Sequence, residues 1–371
     1  MVDDSSIQRI SRLTPLATVL ALIETRVNAV KPQRWNVATT LGYTLAEDVV
    51  ASQRPEHPIA LRDGFAVDAA AIADASSYAP VPLPSPIPRI DLGEPMPHGT
   101  DAVLPLDAVV FRGEHAQAVA PVTAGEGMLP AGGDAAPHSL MRRAGERMRS
   151  IDIVAVQAAR IKSALIREPR IAVVLGVEPV IPLGGVAGLL VRSVFDAGAT
   201  VSNKPEMTLD VAVADSENDA IVAFGGTGSG RHDNAVQQLA RLGRVEIHGI
   251  AISPGQTTAL GFAGARPVLL VSGRLDAALA AWHLIGRSIM AKLAGGRIYD
   301  KTIMLPLKRK VASAIGMTEF IPVSCKDGMA EPLASGYLSF MSLTLSDGWI
   351  VVPAESEGSP AGTEVAVHPW P

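Results

Sequence analysis

From Leu16 onward, apolar residues recur at helical spacing: Leu16, Val19, Leu20, Ile23, Val27 and Val30 fall on one stripe. Thr14-Pro15 ahead of them reads as an N-cap followed by proline at the first helical position, so the pattern predicts an amphipathic helix. Between Leu45 and Gly145 the pattern changes to short apolar segments separated by turn residues. Prolines at 80, 82, 84, 86 and 88 exclude helix or central strand there, which leaves a β-rich, loop-heavy domain. A second helix is predicted from Ser150 to about Ile166, with Ile151, Val154, Ala158 and Ile161 on one stripe. It is expected to pack back on the first helix. The domain reading is therefore a discontinuous helical linking domain (residues 1–50 and 146–168) interrupted by a β-rich domain (residues 51–145).

Residues 169–297 alternate strand and helix: strands at Ile171 to Leu175, Ala220 to Phe224, Val245 to Ile252 and Pro267 to Val271, with helices near Leu189 to Ala197, from Asn234, and from Leu275 to Leu293. Such alternation predicts a three-layer α/β/α domain with a mostly parallel sheet, and ligands bind at the carboxyl ends of such strands. Residues 298–371 hold short strands with turn signals at Asp327-Gly328, Asp347-Gly348 and Ala361-Gly362, which predicts a small β-barrel. The fold class is multidomain α/β plus β.

At 371 residues the chain exceeds one ordinary core, and 48% apolar residues with a mean hydropathy of +0.26 supply material for several. A net charge of -5 lacks the basic excess that neutralises a phosphate backbone, so nucleic acid is not an expected partner. The opening Met1-Val2-Asp3-Asp4 is acidic where a signal peptide is basic, and the longest apolar runs fall far short of the roughly 20 residues that span a bilayer. A single cysteine, Cys325, forms no internal disulfide. These features together predict a cytoplasmic protein with no membrane association.

Candidate chemistry concentrates in Gly225-Gly226-Thr227-Gly228-Ser229-Gly230-Arg231-His232-Asp233, directly between a strand and a helix. Glycines expose backbone N–H groups at a helix N-terminus, and Thr227 and Ser229 add hydroxyls, so an anion, phosphate above all, is the natural guest. The spacing is not the dinucleotide fingerprint, and no acid ends the following strand, which argues against NAD. Asp233 closes the loop either as a helix cap or as a carboxylate holding hydrated Mg²⁺ beside a phosphate. Two further strand ends carry glycine-containing loops, Ser253-Pro254-Gly255-Gln256 and Ser272-Gly273-Arg274-Leu275-Asp276. Asp63 sits in a glycine turn, Arg142 in a charged patch before the second helix, and His232, His248 and His283 show no metal-ligand spacing.

Taken together, these segments resemble the molybdenum insertases of molybdenum-cofactor biosynthesis, the MoeA and gephyrin E-domain family. The likeness runs almost end to end. It is carried by Leu45-Ala46-Glu47-Asp48-Val49-Val50, Asp63-Gly64-Phe65-Ala66-Val67, Gly93-Glu94-Pro95, Gly99-Thr100-Asp101-Ala102-Val103 and Arg142-Arg143-Ala144-Gly145-Glu146. It continues through Gly225-Gly226 with Asp233, Ile252-Ser253-Pro254-Gly255, Phe320-Ile321-Pro322-Val323, Glu331-Pro332-Leu333, Asp347-Gly348 and Ala361-Gly362-Thr363-Glu364-Val365.

The resemblance implies a homodimer that binds adenylylated molybdopterin and molybdate, hydrolyses the adenylate with Mg²⁺ and inserts the metal into the dithiolene. It implies that residues Gly225 to Gly230, Pro254, Gly255, Gly273 and Arg274 hold the pterin phosphate part and that Arg142 contacts an oxyanion. It also implies that Asp63 and Asp233 are the retained catalytic acids and, with Glu178, the metal-side acids. Departures are specific. Ser253 and Gln256 replace two lysines around Pro254-Gly255, and Ser272-Gly273-Arg274-Leu275 replaces Pro-Gly-Asn-Pro. Arg147 stands where an acid is expected and Leu92 where a threonine is. A non-catalytic carrier of molybdopterin or finished cofactor to a client molybdoenzyme is the alternative that these replacements raise.

Overall fold

The computed structural model describes residues 8–175, 184–202, 207–297 and 301–370. They divide into two compact units. The larger comprises Met1–Glu47, Ala144–Ser150 and Ser163–Pro371, and the smaller Asp48–Arg143 and Ile151–Lys162.

A six-stranded sheet organises the larger unit, in the order Thr200–Ser202, Arg170–Leu175, Ala220–Phe224, Arg266–Val271, Ala259–Ala263, Arg244–His248. The first three pairings are parallel and the last two antiparallel. The sheet is thus mixed, where strand-helix alternation predicted a mostly parallel one. The cause is a tight hairpin: Gly264, with φ +63°, and Ala265 link the paired residues Ala263 and Arg266, and no crossover is needed. Pleating divides the strands between two helical layers. Ile171, Val173 and Val222 face a core with Leu190, Val194 and the long C-terminal helix, while Ala172, Val174 and Ile221 face Met207, Leu209 and Leu239.

That long helix runs Leu275–Ala281, passes through a π-turn at Trp282–Gly286 and continues as Arg287–Ala294. A Cβ at Gly286 would collide with the Trp282 ring, so glycine lets the indole lie along the helix. His283, in the π-turn, stacks among Phe320, Trp349 and Trp370, which ties the helix to the C-terminal sheet. In that sheet Thr318–Lys326 lies between Ile252–Ser253 and Gly348–Val352, over a core of Leu307, Val323, Ile350 and Val367.

Two helical expectations change. The first helix spans Leu16–Arg26 with Pro15, not Thr14, at its cap position. Thr14 instead bridges Ile250 like a strand residue, its N–H donating to the Gly249 carbonyl at 2.9 Å. The second helix stops at Ala158, and Ser163–Arg167 forms a strand against Gln33–Asn36 and Thr44–Leu45. Arg160, with φ +62°, ends the helix, and the alternating burial of Ala164 and Ile166 is the two-residue period that wins beyond it. Apart from Ser150, the residues of this helix belong to the smaller unit.

In the smaller unit, Gly64–Val67 lies between Arg89–Ile90 and Ala102–Leu104 over a core of Phe65, Ile72, Leu104 and Val109. A Cβ on Gly64 would run into the Leu104 carbonyl oxygen, so close strand approach requires glycine there. Among the described residues no helix is long and apolar enough to cross a membrane.

Candidate functional site

Three loops meet at the carboxyl edge of the central sheet. The strand Ala220–Phe224 runs directly into Gly225, whose N–H donates to the Val271 carbonyl at 2.9 Å, so the loops leaving these two strands begin side by side. A Cβ on Gly273 would lie 3.5 Å from Gly225 Cα. The Pro254-Gly255 loop joins them through Thr257, whose hydroxyl lies 3.0 Å from that of Thr227. Arg244–His248 is antiparallel to Ala259–Ala263, itself antiparallel to Arg266–Val271, so the loop after His248 leaves the same edge as the other two.

Within the first loop, the glycines have identifiable structural reasons. Gly225 and Gly226 adopt φ of +85° and +71°, a region that strains residues with a Cβ. Gly228 and Gly230 do not; their hydrogens face the Asp233 carboxylate, which a Cβ would approach to 2.8 and 3.0 Å. Asp233 Oδ2 accepts the Gly230 N–H at 2.8 Å, so this acid braces its own loop. The helix Ala235–Leu242 has Asn234 at its cap position, but its N–H donors are met by a residue from far upstream. Gln8, only 6% exposed, accepts from Val236 and Gln237 N–H at 2.9 and 3.2 Å and donates to the Gly226 and Gly228 carbonyls, both at 2.9 Å. Thr227 is buried with its hydroxyl on Thr257, and its carbonyl lies 2.9 Å from His248 Nε2, which requires the proton on that nitrogen. Ser229 is exposed at the loop tip.

The other two loops are equally committed. Pro254 and Gly255 are buried. Gly255 takes φ +122°, with Ile252 Cδ1 2.9 Å from where a Cβ would stand, and its carbonyl accepts the Thr258 hydroxyl at 2.7 Å. Arg274 forms a two-point ion pair with Asp276, Nε to Oδ1 at 3.1 Å and NH2 to Oδ2 at 2.6 Å, and lies over the Tyr337 ring at 5.4 Å. This hydrogen bonding raises the Arg274 pKa above the usual guanidinium value. Asp276 is 2% exposed and also accepts Ala277 N–H at 2.8 Å and Leu338 N–H at 3.1 Å. Ser253, where the resemblance expects lysine, is buried and pairs in register with Glu319, whose Oε2 is buried without a hydrogen-bond partner among the described residues. Burial raises the Glu319 carboxyl above its ordinary value. Gln256 is exposed. Arg147 donates from Nε to the Gly42 carbonyl at 2.8 Å, and burial lowers its pKa.

The remaining sequence-derived candidates lie apart from these loops in the chain. In the smaller unit, Asp63 is exposed and accepts the Leu92 N–H at 2.8 Å, and Arg142 lies 3.3 Å from the buried Asp152. Glu178 falls outside the described residues. Among the described residues no three His, Cys, Asp or Glu side chains converge as metal ligands, and Asp233 is turned into its own loop. This donor set does not build a Mg²⁺ cage, and no chemical step is derived through that ion. Sequence reasoning missed Gln8, Thr257, His248 and Asp276. Only Asp276 carried a signal, an acid two residues from an arginine at a strand end. Gln8 is 218 residues from its loop partner Gly226, and nothing local marks it.

The N-terminal region of MoeA, its domains I and II, matches residues 14–159, and the MoeA C-terminal region, domain IV, matches residues 304–370. The two matches flank the central sheet and together cover more than half of the chain. A Methanocaldococcus jannaschii protein named for molybdopterin biosynthesis is 34% identical over 169 residues, 45% of this chain and 40% of that one. This chain thus matches less than half the length of that relative. A Haemophilus influenzae molybdopterin molybdenumtransferase is 23% identical, with 88% of this chain and 90% of that one covered. In three dimensions the chain is similar to the MoeA protein of Pyrococcus horikoshii, with TM-score 0.77 and 23% identity over 97% of this chain and all of that one. A molybdenum cofactor biosynthesis protein of Pyrococcus furiosus gives TM-score 0.62 and 20% identity over the same shares. These likenesses establish the multidomain α/β fold with mixed sheets, and with the matched regions they show that the chain belongs to the MoeA family.

Proposed function

We propose that this chain acts in molybdenum-cofactor biosynthesis as a molybdopterin molybdenumtransferase. Adenylylated molybdopterin and molybdate bind together, the adenylate is hydrolysed with release of AMP, and the dithiolene sulfurs take the metal. The observation that carries this reading is the convergence of the Gly225, Pro254 and Gly273 loops at one edge of the central sheet, between two regions that match MoeA. Convergent loops at strand carboxyl ends are where open α/β sheets bind ligands. The loop from Gly225 to Gly230 holds the phosphate end of the pterin through backbone N–H groups between its ends, since the N–H groups of Gly225 and Gly230 are taken by Val271 and Asp233. Asp63 and Asp233 remain the acids we assign to the reaction, and Arg142 the oxyanion contact. The names of the matched relatives favour this reading over the carrier. A homodimer is the assembly we propose, and sedimentation of a strict monomer at micromolar concentration would refute it.

Charge limits how well the chain performs the reaction. Molybdate carries two negative charges, and a cation within a few ångströms contributes on the order of a few kcal/mol at an effective dielectric near 20. Ser253 and Gln256 supply no cation, and Arg274 is already paired with Asp276. Molybdopterin therefore binds measurably, molybdate binds poorly and insertion is slow. The test is rescue of an insertase-deficient bacterial strain. Rescue only at high molybdate is the expected result. Rescue at ordinary molybdate equal to that of an intact insertase would refute the charge argument, and no rescue combined with no retention of molybdopterin would refute the function.

A further inference from the structure

We propose that Gln8 is a positioning residue of the glycine loop, one that aims two backbone N–H donors at the ligand. The inference rests on the proposed function and deepens it. Gln8 precedes the stretch that matches MoeA, which begins at residue 14, so it is a feature of this chain outside that match. Its carboxamide adds four hydrogen bonds between two structures that are otherwise joined by the Ala235 N–H donating to the Gly226 carbonyl at 3.0 Å. Oε1 takes the Val236 and Gln237 N–H groups at the start of the helix, and Nε2 draws in the Gly226 and Gly228 carbonyls.

The consequence follows from the planarity of the peptide group. In a trans peptide the C=O and the following N–H point in opposite directions. With the Gly226 and Gly228 carbonyls held toward Gln8, the N–H groups of Thr227 and Ser229 must face the other way. They lie two residues apart on the side of the loop away from Gln8, and neither has a hydrogen-bond partner among the described residues. The end of the loop is braced by Asp233, which accepts the Gly230 N–H. Glycines alone would leave these peptides free to rotate, since glycine populates both signs of φ. One buried side chain with four hydrogen bonds removes that freedom, helped at the Gly226 carbonyl by the Ala235 N–H; the Gly228 carbonyl is held by Gln8. The helix N–H groups that an anion would ordinarily use are already taken by Gln8 Oε1, so the phosphate is received by Thr227 and Ser229 N–H instead.

The experiment uses the full chain with Gln8→Ala and Gln8→Glu, measured four ways: thermal unfolding, hydrogen–deuterium exchange of residues 236–237, amide nitrogen relaxation of residues 226–230, and anaerobic titration with molybdopterin. Glutamate keeps the acceptor for Val236 and Gln237 N–H but cannot donate to the loop carbonyls at pH 8. Gln8→Glu is therefore expected to lower the melting temperature, because two carbonyls lose their donor and a charge is buried, and to keep slow exchange at residues 236–237, yet to raise amide mobility in residues 226–230 and weaken molybdopterin about tenfold, the worth of one well-made hydrogen bond. Gln8→Ala loses the slow exchange at residues 236–237 as well. Wild-type affinity in Gln8→Glu would reduce Gln8 to a helix cap, and tighter binding in Gln8→Ala would make it a plug; either overturns the inference. Should wild-type protein fail to bind molybdopterin, the proposed function falls by itself. The positioning role is then judged on amide relaxation, and unchanged mobility of residues 226–230 in both variants refutes it.

Discussion

If Gly228 is a glycine because of Asp233, then the cost of adding a methyl group there must depend on whether Asp233 is present. A Cβ at residue 228 would stand 2.8 Å from Asp233 Oδ2, about half an ångström inside ordinary contact, and Oδ2 accepts the Gly230 N–H at 2.8 Å. Moving the carboxylate out by that amount stretches the hydrogen bond past its useful range. A hydrogen bond to a charged group contributes about 1.5–3 kcal/mol, and half-exposure of Asp233 brings this nearer to about 1 kcal/mol. The φ of Gly228 is outside the left-handed region, so alanine there also restricts the unfolded chain and returns about 0.4–1 kcal/mol. In the wild-type background Gly228→Ala is therefore expected to be neutral to mildly destabilising. In an Asp233→Ala background it is expected to stabilise, because the clash is gone and the entropy term remains. Chemical denaturation of the four proteins of the cycle gives the coupling, expected near 1 kcal/mol. Equal effects of Gly228→Ala in both backgrounds would refute the account. Should the methyl group also weaken molybdopterin equally in both, the glycine serves ligand approach rather than the carboxylate.

Two further outcomes follow from buried carboxylates. Asp276→Ala strips the partner from Arg274 and leaves the Ala277 and Leu338 N–H groups without an acceptor; it should destabilise by about 3 kcal/mol, between the cost of one orphaned donor and that of a broken buried pair, with Asp276→Asn milder in the same denaturation assay. A loss under about 1 kcal/mol would mean that water replaces the carboxylate. Glu319 has its pKa raised by burial, so the folded state holds this proton more tightly than the unfolded chain does. Its ionisation costs stability as pH rises through the raised pKa, and the cost vanishes below the ordinary glutamate value. Glu319→Gln should raise the melting temperature at pH 8, with the gain shrinking to nothing toward pH 4. A gain independent of pH would show that another property of the substitution is responsible.

How much of this was legible in the sequence depended on whether the deciding contact was local. The strand Ala220–Phe224, the glycine loop behind it and the helix after Asn234 were readable, because a buried strand, a turn and an amphipathic helix each leave a pattern within a few residues. The strand Ala259–Ala263 was not: Ala-Leu-Gly-Phe-Ala has weak strand propensity, and its place is set by pairing on both sides with Arg244–His248 and Arg266–Val271. Ser163–Arg167 was absorbed into a predicted helix because Ile161 and Ile166 fit either period over so short a window. The glycines read as residues that expose backbone N–H groups, which leaves out part of the reason for them. Gly228 and Gly230 accommodate Asp233, which sequence proximity allows but does not reveal. Gln8 and Glu319 reach the loops from opposite ends of the chain, and no window contains them with their partners.

On the proposed function, these arrangements bear on the order in which molybdopterin and molybdate are held. Arg274 is paired with Asp276, His248 points its Nε2 at the Thr227 carbonyl, and position 253 carries a buried serine beside an acid whose ionised form is disfavoured. Among the described loop residues, what remains to greet an anion is mainly neutral: backbone N–H groups fixed in place by Gln8 and Asp233. Neutral donors of fixed geometry suit a phosphate that belongs to a larger ligand, since the pterin makes contacts of its own and the translational cost of binding is met once for the whole molecule. Free molybdate has no such anchor. It must be attracted by charge, and apart from the exposed Arg231 at the end of the first loop, charge is what these loops lack. Molybdopterin should therefore bind first and complete the site, with molybdate entering a pocket already lined in part by the pterin. On this view, the lysines absent at positions 253 and 256 govern the second substrate far more than the first.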